Sequence, residues 1–404
     1  MRFRHAVLVT LLLAVIPIPG AAAPERDDLL VINGLAEQLS HVNRVSGTVV
    51  KSVLPLGLAP NRIRHAKGRV LVVNSISDDL WVINDTTHTL ERTVGLPEGS
   101  NPWDVEPIDD SLCAVSLLLH NAVTLVNYRT GDTLPRTPVG KSPEGMLSLQ
   151  GRLWVANSGF DFGTFLYDPG TVSVIDPLTH ATLTTIPVGT NPQELALAGD
   201  GTIHVLCTGN FSDREGIVYI LNSQSLGVID SLPLGGAPGD LVIGIDGAAY
   251  VAAGGWVDSG EVYRYDALTR TVLNAEANPW HSAQGVIAVL PRLEGGVFTV
   301  CFNGDSIVEH DLAGTVVTGW EVADGPGGMV NISNRLPGDF DDNTLVDATD
   351  LAFMIDRVFF GGPPPVHANS IDLNADCFSD ATDLAILIDV VFFGRIVAYW
   401  GCAQ

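Results

Sequence analysis

The stretch from Pro143 to Gly189, PEGMLSLQGRLWVANSGFDFGTFLYDPGTVSVIDPLTHATLTTIPVG, decides the fold. A proline turn leads into an apolar run and a glycine-containing turn. A second run follows, Leu153-Trp154-Val155-Ala156-Asn157. A polar loop then gives way to Thr171-Val172-Ser173-Val174-Ile175-Asp176, and a Thr-rich hairpin to Ala181–Val188. Period-2 alternation broken by turn residues at short intervals predicts four antiparallel strands.

The opening phrase recurs along the chain. It reads Ala59-Pro60-Asn61, Asn101-Pro102-Trp103-Asp104-Val105, Ser142-Pro143-Glu144-Gly145-Met146 and Asn191-Pro192-Gln193-Glu194-Leu195. It continues as Ala237-Pro238-Gly239-Asp240-Leu241, Ser282-Ala283-Gln284-Gly285-Val286 and Gly325-Pro326-Gly327-Gly328-Met329. The anchors at 60, 102, 143, 192, 238, 283 and 326 lie 41 to 49 residues apart, so seven units are expected. A single four-stranded sheet of ~45 residues cannot cover both its faces, whereas seven packed radially can, as a β-propeller. An open β-solenoid or a pair of sandwiches is the competing arrangement. The termini favour the ring. Only one strand-like piece follows Pro326, and three precede Pro60, at Leu29–Asn33, within Ser40–Arg44 and within Gly47–Leu54. Together they make a last sheet and leave no open edge.

Trp154-Val155-Ala156-Asn157-Ser158, Thr171–Asp176 and Ile186-Pro187-Val188-Gly189 resemble the YVTN-type β-propeller repeat of secreted and surface-layer proteins. The resemblance covers about 300 residues and implies a fold rather than an activity.

Composition narrows the function. The 404 residues carry 21 Lys and Arg against 46 Asp and Glu, a net charge of −25. That excess repels phosphate and anionic membranes, so no nucleic-acid partner is expected. Arg2 and Arg4, the apolar run Ala6–Ile16 and Ala21-Ala22-Ala23 read as an export signal over residues 1–23, whose removal leaves −27. No other run is long enough to span a membrane, so a secreted or cell-surface bacterial protein, monomeric, is expected. Cys113, Cys207 and Cys301 lie in apolar β-like runs and read as buried thiols, while Cys377 and Cys402 are a candidate disulfide.

In a propeller the anchor loops and the loops after each second strand share one end. Here they hold Trp103, Asp104, Glu144, Glu194, Asp240, Trp256, Trp280 and His281, the candidate ligand-binding residues. The acids Asp104, Glu144, Glu194 and Asp240 read as a ring about the channel that holds a cation or a sugar, or as solvated loop acids. A carboxylate pair among them is the requirement for glycoside hydrolase or lyase chemistry. The tryptophans either stack on a ligand or pack between sheets. No HExxH, GxSxG or CxxC motif occurs.

Residues 338–404 differ from the repeats. They hold 11 Asp, no Glu and two Arg, a local charge of −9. Oxygen-bearing side chains stand at positions 1, 3, 5, 9 and 12 of two 12-residue loops: Asp339, Asp341, Asn343, Asp347 and Asp350, then Asp372, Asn374, Asp376, Asp380 and Asp383. With the position-7 carbonyls of Leu345 and Phe378, this is the EF-hand spacing for a hard cation, and two Ca²⁺ are expected. Leu351, Met354, Ile355, Val358 and Phe359 after the first loop match Leu384, Leu387, Ile388, Val391 and Phe392 after the second, one apolar helical stripe in each copy.

This duplication resembles the type I dockerin module, which docks secreted proteins onto cohesin domains or a cell-surface scaffold. The resemblance implies partner contacts at positions 10 and 11, Ala348-Thr349 and Ala381-Thr382, which are identical in both copies. Thr344 and Cys377 depart from the usual glycine at position 6. The expected architecture is mainly β: a signal at 1–23, a seven-bladed propeller at 28–332, a linker at 333–337 and a small helical dockerin-like domain at 338–404. The expected function is recognition of a protein or glycan at the propeller face, with the tail as anchor. The alternative is a carbohydrate-active enzyme of polysaccharide breakdown.

Overall fold

The computed structural model describes residues 26–244, 246–292, 295–333, 338–340, 346–362, 373 and 380–393. The expected export signal, Cys377, Cys402 and loop positions Asp341, Asn343, Leu345, Asp372, Asn374, Asp376 and Phe378 lie outside them.

Among the described residues the strands of the repeat region gather into seven antiparallel sheets of four or five strands, ordered A to D from the channel outward. The seven A strands are Pro60–Ala66, Pro102–Pro107, Pro143–Leu149, Pro192–Leu197, Asp240–Ile243, Val286–Pro291 and Pro326–Ser333. They define blades 1 to 7. The last A strand pairs with Asp27–Asn33, register Asp27 to Ser333 and Leu30 to Val330, and strands Gln38–Asn43 and Thr48–Pro55 complete that blade. The ring closes with strands from both ends of the repeat region, as the terminal pieces required.

Alternation explains the packing. On strand B of blade 7, Leu29 and Val31 face blade 6, with Phe298 and Val300. Leu30 and Ile32 face blade 1, with Ile63, Val70 and Val72. All seven junctions carry one apolar cluster between neighbouring blades, that between blades 2 and 3 joining Ala114 and Leu125 to Met146 and Val155. The B strands are therefore buried on both faces, as Thr202–Cys207 is along its whole length. Each large aliphatic side chain placed this way contributes roughly 1.5–3 kcal/mol of burial. Cys113, Cys207 and Cys301 sit on three of these B strands as buried free thiols. Burial pushes the Cys207 thiol up to about 12.

Two blades depart from four plain strands. In blade 5 the outermost position is split between Val272–Asn274 and Trp280–Ser282, both paired to Gly260–Asp266. In blade 3 the B–C loop carries its own small hairpin, Phe160–Asp161 with Leu166–Tyr167.

The anchor turns share a backbone device. Ala59, Asn101, Ser142 and Asn191, each before its proline, have φ between 48° and 58°. Their carbonyls accept N–H bonds of 2.9–3.2 Å from Ser75, Leu118, Ser158 and Thr208 after strand B. These bonds hold a conformation that L-residues disfavour.

In the tail, helix α1 (Ala348–Ile355) runs into a π-helical turn (Asp356–Phe360) ended by Gly361 at φ 71°, and helix α2 spans Ala381–Phe393. Phe340, Met354, Leu373 and Leu387 form the core, with Leu351, Val358, Leu384 and Val391 packed against it. The apolar stripe is thus narrower than its spacing implies. Ile355, Phe359, Ile388 and Phe392 are exposed.

Candidate functional site

Arg62, Asp104, Glu194 and Asp240 each stand two residues after an anchor proline, near the start of strand A, where blades 3, 6 and 7 have Gly145, Gly285 and Gly328. Arg62 reaches across the ring. Its Nε lies 3.2 Å from Asp104, its Nη1 3.5 Å from Asp240, and its Nη2 donates to Glu194. Arg64, two residues on, lies 3.5 Å from Asp104, 3.6 Å from Glu194 and 4.0 Å from Glu106. Three of the four predicted ring acids therefore meet, and a guanidinium from blade 1 stands among them. Backbone donors fix all three further: Met146 N–H donates to Asp104, Val289 N–H to Asp240 and Leu195 N–H to Glu194.

Glu144 does not join them. Blade 3 has Gly145 at the channel position, and a Cβ there would lie 2.3 Å from the carbonyl of Gln193. Glu144, one residue earlier, is buried instead, with Oε2 lacking any hydrogen-bond partner. Desolvation pushes its carboxyl up to about 8. Desolvation likewise raises Glu106 to about 7 against the pull of Arg64, and raises Glu194. Arg62 is held protonated more firmly than usual by Glu194, Asp104 and Asp240, although burial opposes it.

From this level a cavity of about 310 Å³ follows the channel. It runs toward the C-terminal ends of the A strands, reaching Leu197, Ile243 and Pro291. Arg62, Arg64, Glu106, Glu194 and Asp240 line it beside Met146, Leu195, Leu241 and Leu290. Arg62, Arg64 and Glu106 were not among the sequence candidates. Aligning the units on their prolines would have brought them out.

The aromatic candidates lie elsewhere. Trp103 is half-buried, and its carbonyl accepts a bond from Asn61. Trp256 is exposed on the B–C loop of blade 5, edge-on to Phe302. Trp280 packs inside the ring wall, under the Arg264 guanidinium at 4.0 Å, beside Tyr250 and stacked on His310. For Trp280 the packing alternative describes its surroundings. His281 is exposed and bonds Ser259.

In the tail, Asp347 and Asp380 accept from Thr349 and Thr382 N–H at the start of α1 and α2. The position-12 carboxylates tie each loop shut. Asp350 accepts from Phe340 at 2.7 Å and Asp347 at 2.8 Å, and Asp383 from Leu373 at 2.7 Å and Asp380 at 2.9 Å. Asp339, Asp350 and Asp383 are buried carboxylates. An all-oxygen donor set of this kind suits Ca²⁺. Among the described residues no group of three His, Cys, Asp or Glu side chains is placed to hold a metal ion. The positions that complete each loop lie outside those residues. Ala348, Thr349, Ala381 and Thr382 are all exposed at the helix starts.

Residues 337–391 match the dockerin type I domain family. No curated protein matches the chain. Among solved structures, hydrazine synthase of Kuenenia stuttgartiensis aligns at 14% identity over 71% of this chain and 98% of its own, TM-score 0.57. A functionally unknown protein from Desulfotomaculum acetoxidans aligns at 16% over 75% and 98%, TM-score 0.56. Virginiamycin B lyase from Staphylococcus aureus aligns at 11% over 65% and 84%, TM-score 0.51. Such likeness establishes a shared fold alone. The chain is a seven-bladed β-propeller that carries a dockerin type I domain, a calcium-binding module with cohesin as its partner class. No helix among the described residues is long and apolar enough to cross a membrane.

Proposed function

We propose that this is an exported recognition protein: the dockerin, folded around two Ca²⁺, attaches it to a cohesin-bearing scaffold or cell surface, and the propeller presents a binding face to a protein. One observation carries the reading. Six B–C loops, all at the anchor end of the ring, expose a large apolar side chain. They are Leu35, Ile76, Leu119, Phe165, Phe211 and Trp256, between 44% and 73% exposed. Scattered apolar side chains are ordinary, but a crown repeated blade after blade on one face resembles an interaction surface. Half of it is aliphatic, which suits a protein partner better than the flat faces of sugars. The aromatic arc of Phe162, Phe165, Phe211 and Trp256 is what a glycan would use.

The charged channel supports recognition over hydrolysis. A hydrolase needs two carboxylates free to exchange protons with substrate and water, whereas Asp104, Glu194 and Asp240 are tied to Arg62 and backbone amides. The test pairs a screen of the full chain against arrayed surface proteins and glycans with mass spectrometry of oligosaccharides incubated with it. Binding that is lost in a Phe165→Ser, Phe211→Ser double variant, with no product released, supports the reading. Cleaved oligosaccharide, or binding indifferent to those substitutions, overturns it. Calcium-dependent capture on an immobilised cohesin tests the tail separately.

A further inference from the structure

The crown lies at one end of the ring, and the channel cavity opens toward the other, so the two are independent. The cavity walls are polar and apolar in nearly equal part, with Met146, Leu195, Leu241 and Leu290 on the apolar side. Its volume of about 310 Å³ stands at the lower end of ligand pockets, roughly 300–1,000 Å³. The polar groups at its head do not balance. Asp104, Glu106, Glu194 and Asp240 face Arg62 and Arg64, and every nitrogen of Arg62 is directed at a carboxylate. Glu106 is the least committed acid. Oε1 accepts from Ser148 N–H at 2.9 Å, and Oε2 has only the Arg64 Nε, 4.0 Å away. An added anion would compete with carboxylates for the same two guanidiniums. An added cation can take the place of a proton that burial holds on these acids.

We propose that this cavity binds a small organic cation, a primary ammonium on an apolar body, whose charged head bonds Glu106 and whose body lies along the aliphatic wall. Association replaces a proton on the buried carboxyl by the ammonium charge, consistent with desolvation holding that proton to about pH 7. Asp104 and Asp240 reinforce the field at the ammonium, while Arg62 and Arg64 keep the site from being a bare acidic hole that a hydrated metal would fill.

The test is calorimetry on the full chain with benzylammonium, and with phenylacetate as the matched anion, at pH 7 in two buffers of different ionisation enthalpy. Saturable one-to-one binding of benzylammonium with proton release is expected, with phenylacetate at least tenfold weaker. Glu106→Gln, which retains an acceptor for the Ser148 amide, weakens benzylammonium at least tenfold and removes the proton release. Ala196→Leu, on the cavity wall, blocks binding by volume and decides the matter if the Gln variant unfolds. No saturable binding of benzylammonium, equal binding of phenylacetate, or full affinity in both variants refutes the assignment. None of these residues belongs to the crown, so either proposal can fail without the other.

Discussion

Replacing Arg62 by methionine keeps the unbranched stem as far as the Nε position and removes the one charge shared by blades 1, 2, 4 and 5. Arg64 still reaches Asp104 and Glu194. Asp240 keeps only the Val289 amide. A buried carboxylate deprived of its counter-charge either stays ionised, at about 3–5 kcal/mol for a broken buried pair, or takes a proton. Protonation costs about 1.36 kcal/mol for every pH unit above the ordinary carboxylate range near 4. At pH 5 that route costs about 1–2 kcal/mol, and at pH 8 it exceeds the ionised route, so the loss levels off at about 3–5 kcal/mol. The sign follows from linkage. The variant's folded state binds the extra proton, so its stability relative to the parent falls as pH rises. Urea unfolding, followed by tryptophan fluorescence at pH 5, 6.5 and 8, measures it, since every tryptophan but Trp400 lies in the propeller. A loss under about 1 kcal/mol at pH 8, or one that does not vary with pH, refutes the claim that Arg62 neutralises the ring.

Glu144→Gln has the opposite sign. Its carboxyl, raised from 4.5 to about 8, favours the fold while protonated and ceases to as pH climbs through about 8. The variant therefore matches the parent at pH 5 and exceeds it by up to roughly 4–5 kcal/mol at pH 9, read from the same urea curves. Gly145→Ala brings Cβ to 2.3 Å from the Gln193 carbonyl and lowers stability by about 1–3 kcal/mol, whereas Gly95→Ala, with nothing within 4 Å, changes it by less than half of that. Chelating calcium reduces the helical circular-dichroism signal of the tail and leaves the propeller's urea midpoint in place; an unchanged helical signal contradicts calcium-dependent folding.

The repeat was legible because strand alternation and turn chemistry are local, and the same grammar repeats at Pro60, Pro102, Pro143, Pro192 and Pro326. Closure was legible because one strand was missing after Pro326 and three stood before Pro60. The channel was legible only in part. Arg62 and Glu194 are 132 residues apart, and nothing local joins them. A register shift at the start of several A strands, between Pro60 and Arg62 and between Pro192 and Glu194 for example, also moves the axis-facing position by one. Blade 3 carries the same shift, and Glu194 faces the channel because it stands two residues after its proline, whereas Glu144 stands one after. The tail stripe was overread for a related reason. Spacing places Ile355 and Phe359 near the buried edge of a helix, but two short helices packed on a four-residue core cover only one side of each.

The closing strand has a mechanical consequence. The chain enters Pro326–Ser333 at the crown end and leaves it at the opposite end, just before the dockerin. Under the proposed function, tension between a tethered tail and a partner held on the crown would pull along this strand. The ladder from Asp27–Ser333 to Asn33–Pro326 is then loaded in shear, its bonds strained together rather than unzipped in turn. The seam that closes the ring is also its coupling to the tether, in the orientation that resists force best.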